Sequence, residues 1–79
     1  EEFAIVLPDT PVDRGVILAD KIRIMTAETQ YEFEDNSIPV SVSMGVAQMR
    51  RNDSLDTFLA AADEKLYDAK KAGRNCVIS

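Results

Sequence analysis

The sequence predicts a single small α/β sandwich, in which two helices cover a sheet. Three observations predict it: a continuous apolar run at 3–7, amphipathic helical patterns over 11–25 and 55–69, and strict alternation of residue types over 40–47. The chain has 79 residues, of which 46% are hydrophobic, so it holds one domain at most. A domain this small buries only about 60% of its unfolded surface. We therefore expect a marginal core.

The first predicted elements are a strand followed by a helix. The run at 3–7 stops at Pro8 and is typical of a strand buried on both faces. Thr10 precedes Pro11, and Asp13 lies three residues after Thr10, which predicts a capping box and a helix from Pro11. The apolar stripe of this helix is expected at Leu18, Ile22 and Met25, widened by Val16, Ile17 and Ile24.

A hairpin and a longer strand are predicted next. Tyr31 and Phe33 alternate with acids before a turn-forming cluster at 35–37. Over 40–47, one face carries valine and methionine, and the other is small throughout: Ser41, Ser43, Gly45 and Ala47. Small residues allow the close approach of either a packed helix or a ligand, and the helix is the favoured interpretation.

The last predicted elements are a second helix and a short strand. Asp53 and Asp56 are candidate capping residues at the start of this helix. Its stripe comprises Leu55, Phe58, Leu59, Ala62, Leu66 and Ala69. Gly73 supplies the expected C-terminal stop, and residues 76–78 form the final strand.

Composition excludes several classes of function. The net charge of −5 disfavours a nucleic-acid partner, and the absence of histidine excludes a Ser-His-Asp triad and imidazole metal ligands. Cys76 is the single cysteine, which suits a reducing, cytoplasmic compartment. The longest apolar run has five residues, far fewer than the roughly twenty of a membrane span, so no membrane contact is expected. The start at Glu1, without methionine or leader features, is expected to be an internal one.

Two groups of charged residues are candidates for chemistry. Glu1 and Glu2 precede the first predicted strand; they are either solvated terminal acids or, because adjacent residues face opposite ways, one metal ligand beside one structural acid. Lys70, Lys71 and Arg74 form a cationic island at the end of the second helix. There they either complement the helix dipole or bind one polyanion, with Arg74 as a fork and Lys70 as a point charge.

Three sequence blocks together resemble the C-terminal half of a GGDEF domain, the diguanylate cyclase family. They are Glu-Glu-Phe at 1–3 with Pro-Asp-Thr at 8–10, the V-S-V-S-M-G-V-A segment at 40–47, and the A-D-E-K-L-Y-D-A-K-K-A-G-R-N segment at 62–75. The last block is the most specific in order and spacing. The resemblance covers essentially the whole chain, so residues 1–79 are identified as the C-terminal portion of one such domain, beginning inside the G-G-(D/E)-E-F motif.

The resemblance implies a fold, an activity and a set of site residues. The fold is a ferredoxin-like central sheet related to nucleotide-cyclase and polymerase palms, here as a partial domain. The activity is condensation of two GTP molecules into cyclic di-GMP with release of pyrophosphate, a bacterial second-messenger reaction. Glu1 matches the acid that binds catalytic Mg²⁺ and is proposed to accept the ribose 3′-hydroxyl proton. Lys70 and Arg74 match the cations that contact the GTP phosphates, and Glu2 matches the motif's fourth position.

The resemblance also implies what the chain needs from elsewhere. The two motif glycines, the second metal acid, the guanine and ribose contacts and the R-x-x-D part of the product-inhibition site would all precede Glu1, and Lys21 matches a further inhibition-site base. A second GGDEF domain, in a homodimer, supplies the other GTP. We therefore expect the isolated chain to be inactive, within a parent protein that is cytoplasmic or membrane-tethered.

Two alternatives stay open at this stage. A degenerate GGDEF domain would bind a nucleotide or a protein without catalysis, and its upstream motif would distinguish it from an enzyme. An unrelated ferredoxin-like RNA-binding domain is disfavoured by the acidic total and by the lack of a basic, aromatic sheet face.

Overall fold

A computed structural model of the chain describes residues 2–79, and Glu1 lies outside the described residues. In chain order, the elements are α1 (Val12–Glu28), β1 (Tyr31–Phe33), β2 (Asn36–Ile38), β3 (Met44–Gly45), α2 (Leu55–Lys71) and β4 (Val77–Ile78). The predicted α+β class, with two helices and small sheets in a partial palm-like domain, is confirmed. The strands of the described chain form two separate two-stranded sheets, β1–β2 and β3–β4, where one sheet was expected.

Helix α1 begins one residue later than predicted and without the predicted capping box. Pro11 is the N-cap, and no side chain caps it. The hydroxyl of Thr10 donates instead to the carbonyl of Pro8 at 2.9 Å. The first-turn amide of Val12 donates to Oε1 of Gln48 at 2.8 Å, so a distant side chain satisfies one of the amides that the start of a helix leaves without partners.

The packed face of α1 is rotated from the predicted stripe. Its buried residues are Gly15 and Ala19, whereas Met25 is 67% exposed. A Cβ added at Gly15 would lie 3.3 Å from a methyl group of Val46. Helix α1 thus packs closely against the residues beside β3, and only small residues fit at this contact. The larger apolar residues of α1 lie on neighbouring faces.

Strands β1 and β2 form the predicted hairpin, with a shifted turn. Tyr31 pairs with Ile38 and Phe33 with Asn36. The turn residues are Glu34 and Asp35, both with positive φ (51° and 66°), as in the type I′ turns that suit the twist of two-residue hairpins. The turn-forming cluster at 35–37 therefore contributes only its first residue to the turn itself.

Strands β3 and β4 pair in parallel beneath α2. Met44 pairs with Val77 and Gly45 with Ile78, so only the centre of the predicted 40–47 strand joins a ladder. A Cβ added at Gly45 would collide with the backbone nitrogen of Leu66 and the carbonyl oxygen of Ala62. The small face of this strand thus admits the backbone of α2, which confirms the helix-packing interpretation at Gly45.

The predicted first strand is not observed as a strand. Residues 3–7 pair with no strand within 2–79, and all five are exposed, Phe3 at 87%. A continuous apolar run indicates burial on both faces, but strand geometry also needs a neighbouring ladder to satisfy its amides and carbonyls. No strand of the described chain provides that ladder, so the run lies along the molecule without pairing.

The apolar interior of the described residues is open. The accessible surface is 6447 Å², whereas a compact folded protein of this mass exposes about 4,800 Å². A mostly apolar cavity of about 580 Å³ is lined by residues 2–7, α1, β3 and α2. The core is therefore marginal, as the length predicted. Neither helix of residues 2–79 is both long enough and apolar enough to cross a membrane.

Candidate functional site

Helix α2 carries the candidate site at its C-terminal end. A capping box fixes the other end, where the helix begins. The hydroxyl of Ser54 accepts from the amide of Thr57 at 3.2 Å, and the hydroxyl of Thr57 accepts from the amide of Ser54 at 2.9 Å. Asp53 supports this capping box by accepting from the Thr57 hydroxyl at 3.1 Å. The N-cap is thus Ser54, one residue after the predicted Asp53.

Helix α2 ends just before Gly73, as predicted, and its end is a Schellman motif. The amide of Arg74 donates to the carbonyl of Ala69 at 3.0 Å, and the amide of Gly73 donates to the carbonyl of Lys70 at 3.4 Å. Gly73 has φ of +113°, a conformation that a side chain at this position would oppose. The two predicted phosphate-binding cations therefore flank the stop, with Lys70 in the last turn of α2 and Arg74 just beyond it.

Folding brings Lys70 against the N-terminal acidic motif. The Nζ of Lys70 lies 2.8 Å from Oε2 of Glu2. The hydrogen bond from Lys70, together with its positive charge, lowers the pKa of the Glu2 carboxyl below its ordinary value. The side chains are 34% and 58% exposed for Lys70 and Glu2, so water and salt screen the pair. The pair therefore shows that Glu2 of the acidic motif and the end of α2 lie side by side, but it contributes little to stability.

The other cations of the island are placed differently. Lys71 lies over the ring of Tyr67, with its Nζ 5.4 Å from the ring centroid, so it is engaged on another face of α2. Arg74 is exposed, and its guanidinium forms no ion pair or hydrogen bond with any of residues 2–79. Within residues 2–79, Lys70 is thus the one cation of the island that contacts the acidic motif, at Glu2.

The described acids alone do not form an all-protein metal site. Within residues 2–79, no three acidic or cysteine side chains lie close enough together to hold an ion. A magnesium ion bound with a nucleotide needs only one or two carboxylates, because phosphate and water oxygens complete its shell. Glu1, the predicted ligand, lies outside the described residues, and its neighbour Glu2 is paired with Lys70. The donor chemistry of the motif fits magnesium in this nucleotide-assisted form.

The structure adds two residues that sequence reasoning did not select. An Arg23 guanidinium nitrogen lies 3.3 Å from Oδ1 of Asn75, which directly follows Arg74. Arg23 lies on α1, 52 residues from Asn75. The sequence marks Asn75 only as the last letter of the final block and does not single out Arg23, because nothing local reveals that α1 passes beside this turn.

Comparison with known families assigns the chain to a family. The chain matches the family described as "Diguanylate cyclase, GGDEF domain" over residues 1–76. Because the match covers nearly the whole sequence, the chain belongs to the GGDEF family, as the resemblance predicted.

Individual relatives are similar over nearly the whole chain. Diguanylate cyclase DgcM of Escherichia coli is 39% identical over 80 residues, covering 100% of this chain and 18% of that protein. Response regulator PleD of Caulobacter vibrioides is 32% identical, covering 99% of this chain and 18% of that protein. Diguanylate cyclase DgcP of Pseudomonas aeruginosa is 31% identical, with shares of 95% and 11%. The chain thus spans less than a fifth of the length of these relatives.

Proposed function

We propose that this chain is part of the catalytic domain of a diguanylate cyclase, which condenses two GTP molecules into cyclic di-GMP. The observation that carries the proposal is the 2.8 Å contact between Lys70 and Glu2. It joins the acidic motif to the end of α2, where the family resemblance assigns phosphate contacts. One bound triphosphate could thus meet both groups.

Each predicted residue has a distinct role in the proposal. Release of pyrophosphate requires that a ribose 3′-hydroxyl attack the α-phosphorus of the other GTP and that the bond to the bridging oxygen break. Glu1 accepts the hydroxyl proton. Lys70 and Arg74 neutralise the phosphate oxygens, Lys70 as a point charge and Arg74 as a planar fork. Two such transfers close the ring and release two pyrophosphates.

Magnesium is the proposed cofactor, with Glu1 as one carboxylate ligand. A hard divalent cation would neutralise charge that develops on the phosphate oxygens. We assign Glu2 a supporting role, because its carboxylate already accepts from Lys70 and lies beside the end of α2.

The proposed partner is a second copy of the domain, which presents the other GTP. The proposed compartment is the cytoplasm, which agrees with a single, unbridged Cys76 and with a GTP substrate. Neither a nucleic acid nor a membrane is a proposed partner of this segment, in keeping with its net charge of −5.

The test is to incubate the full-length protein with GTP and MgCl₂ and to separate the products by chromatography. We expect cyclic di-GMP and pyrophosphate in a 1:2 ratio, with a specific activity that rises with protein concentration over the range of dimer formation. GTP binding without turnover would overturn the catalytic proposal and favour a non-catalytic regulatory module. Absence of GTP binding would also overturn the catalytic proposal, and would favour a module that binds a protein.

A further inference from the structure

The turn that carries Arg74 has an unusual backbone. Gly73, Arg74 and Asn75 all have positive φ, at 113°, 65° and 48°. Glycine tolerates such a conformation, and asparagine does so better than most residues, but an arginine there is disfavoured. Because Arg74 is exposed, its own side chain contributes no packing that would hold this backbone. The conformation must be maintained by the neighbours of Arg74.

Asn75 is that neighbour, and it is held from two sides. Its amide donates to Oγ of Ser43, on the segment that leads into β3, at 3.2 Å. Its side-chain and backbone oxygens both accept from Nη1 of Arg23, at 3.3 and 3.5 Å. The turn is therefore bonded to α1 and to the segment before β3, in addition to the helix that it follows.

Arg23 is itself fixed in orientation. Its Nε donates to Oδ1 of Asp20, one turn earlier on α1, at 2.8 Å. The Arg23 side chain is only 23% exposed, so this ion pair is screened less than an open surface pair. Asp20 thus aims the guanidinium, and the guanidinium reaches across to Asn75.

We propose that Arg23 is a positioning residue that acts through Asn75 to hold Arg74 where it meets the same triphosphate as Lys70. This inference rests on the proposed function of Arg74. Arg23 itself contacts no substrate. Arg23 keeps the left-handed turn in place before GTP binds, so that no binding free energy is spent on ordering the turn.

The size of the effect follows from the bonds involved. Loss of a hydrogen bond of ordinary strength corresponds to roughly a fivefold change in an equilibrium constant. We therefore expect Arg23→Ala in the full-length protein to raise KM for GTP about fivefold while kcat stays within about twofold. Arg23→Lys, which keeps one cationic donor, should recover part of the loss. Asn75→Gly keeps the backbone freedom of the turn but removes the side-chain acceptor, and should resemble Arg23→Ala.

The matched control is Arg14→Ala, which removes an exposed cation from the first turn of the same helix and should leave KM unchanged. A double-mutant cycle supplies the specific readout. If Arg23 acts through Arg74, adding Arg23→Ala to Arg74→Ala raises KM no further.

An unchanged KM in Arg23→Ala, or fully independent effects in the cycle, overturns the inference. If Arg23→Ala fails to fold, Asn75→Gly decides on the same criteria. The failure of the proposed function is distinguishable, because in that case the unmodified protein forms no cyclic di-GMP, and Arg74→Ala and Lys70→Ala leave its GTP binding unaltered. An Arg74→Ala effect without an Arg23→Ala effect overturns the positioning role alone.

Discussion

Lys70 and Glu2 lie in contact at 2.8 Å although 68 residues separate them in the chain. Glu2 belongs to the acidic motif before the first apolar run, and Lys70 occupies the last turn of α2. Their contact places Glu2 of the acidic motif beside the C-terminal end of α2. It is the geometric basis for treating the acidic motif and the α2 cations as parts of one site.

The first prediction concerns the α2 cations. Replacing both Lys70 and Arg74 with alanine should raise the GTP concentration needed for half-maximal activity about 10- to 100-fold, because charge-assisted bonds to phosphate are lost. Initial rates across a GTP series measure this. Lys71→Ala is the control, because Lys71 lies over Tyr67. An unaltered GTP dependence in the double variant would mean that Lys70 and Arg74 only complement the dipole at the end of α2.

The second prediction concerns Glu1. Glu1→Gln in the full-length protein should reduce the rate of cyclic di-GMP formation about 10²- to 10⁴-fold, because a proton acceptor and a proposed magnesium ligand are both removed. Turnover with saturating GTP and Mg²⁺ measures it. Glu64→Gln, an exposed acid on α2, is the control. A rate equal to that of the unmodified protein would refute the catalytic assignment.

The third prediction concerns the isolated 79-residue chain. It should produce no cyclic di-GMP from GTP and Mg²⁺, because its one proposed metal ligand cannot fix the ion and the nucleotide alone. Product chromatography after prolonged incubation, with the full-length protein as the positive control, tests this. Measurable turnover would contradict it.

The fourth prediction concerns packing at Gly45. Gly45→Ala should lower the free energy of unfolding by about 3 kcal/mol, because the new Cβ meets α2 backbone atoms, including the carbonyl carbon of Lys65 at 2.8 Å. Gly73→Ala should cost less, about 1–2 kcal/mol, because its Cβ enters open space and only the positive φ opposes it. Urea unfolding of the full-length protein measures both. Equal losses would argue against the close packing of α2 on β3.

The fifth prediction concerns the pKa of Glu2. Lys70→Met should return the lowered pKa of this carboxyl toward 4.5. Because the folded-state pKa is depressed, the stabilisation is present above the unfolded pKa and is lost as pH falls through the folded value. Carboxyl titration by NMR of the unmodified protein and of Lys70→Met tests this. A Glu2 pKa that does not change in Lys70→Met would exclude the contact in solution.

Local patterns predicted most of the regular structure. Helix α2 and its stop at Gly73 were predictable because helix periodicity and a glycine C-cap are encoded over a few residues. Of the predicted stripe, however, Leu55 and Leu59 are exposed. The hairpin was predictable for the same reason, although its turn lies at Glu34 and Asp35. The strand at 3–7 was predicted wrongly, since an apolar run indicates burial but does not supply a pairing partner.

The sequence by itself determined the GGDEF family, the α+β class and the identity of the candidate residues Glu1, Lys70 and Arg74. Only the tertiary structure decided which groups meet: Glu2 with Lys70, and Arg23 with Asn75. Residue type and spacing encode local conformation, whereas contacts across 68 or 52 residues depend on how the helices and sheet pack. That packing sums many weak terms from the whole chain, so no short motif reveals it.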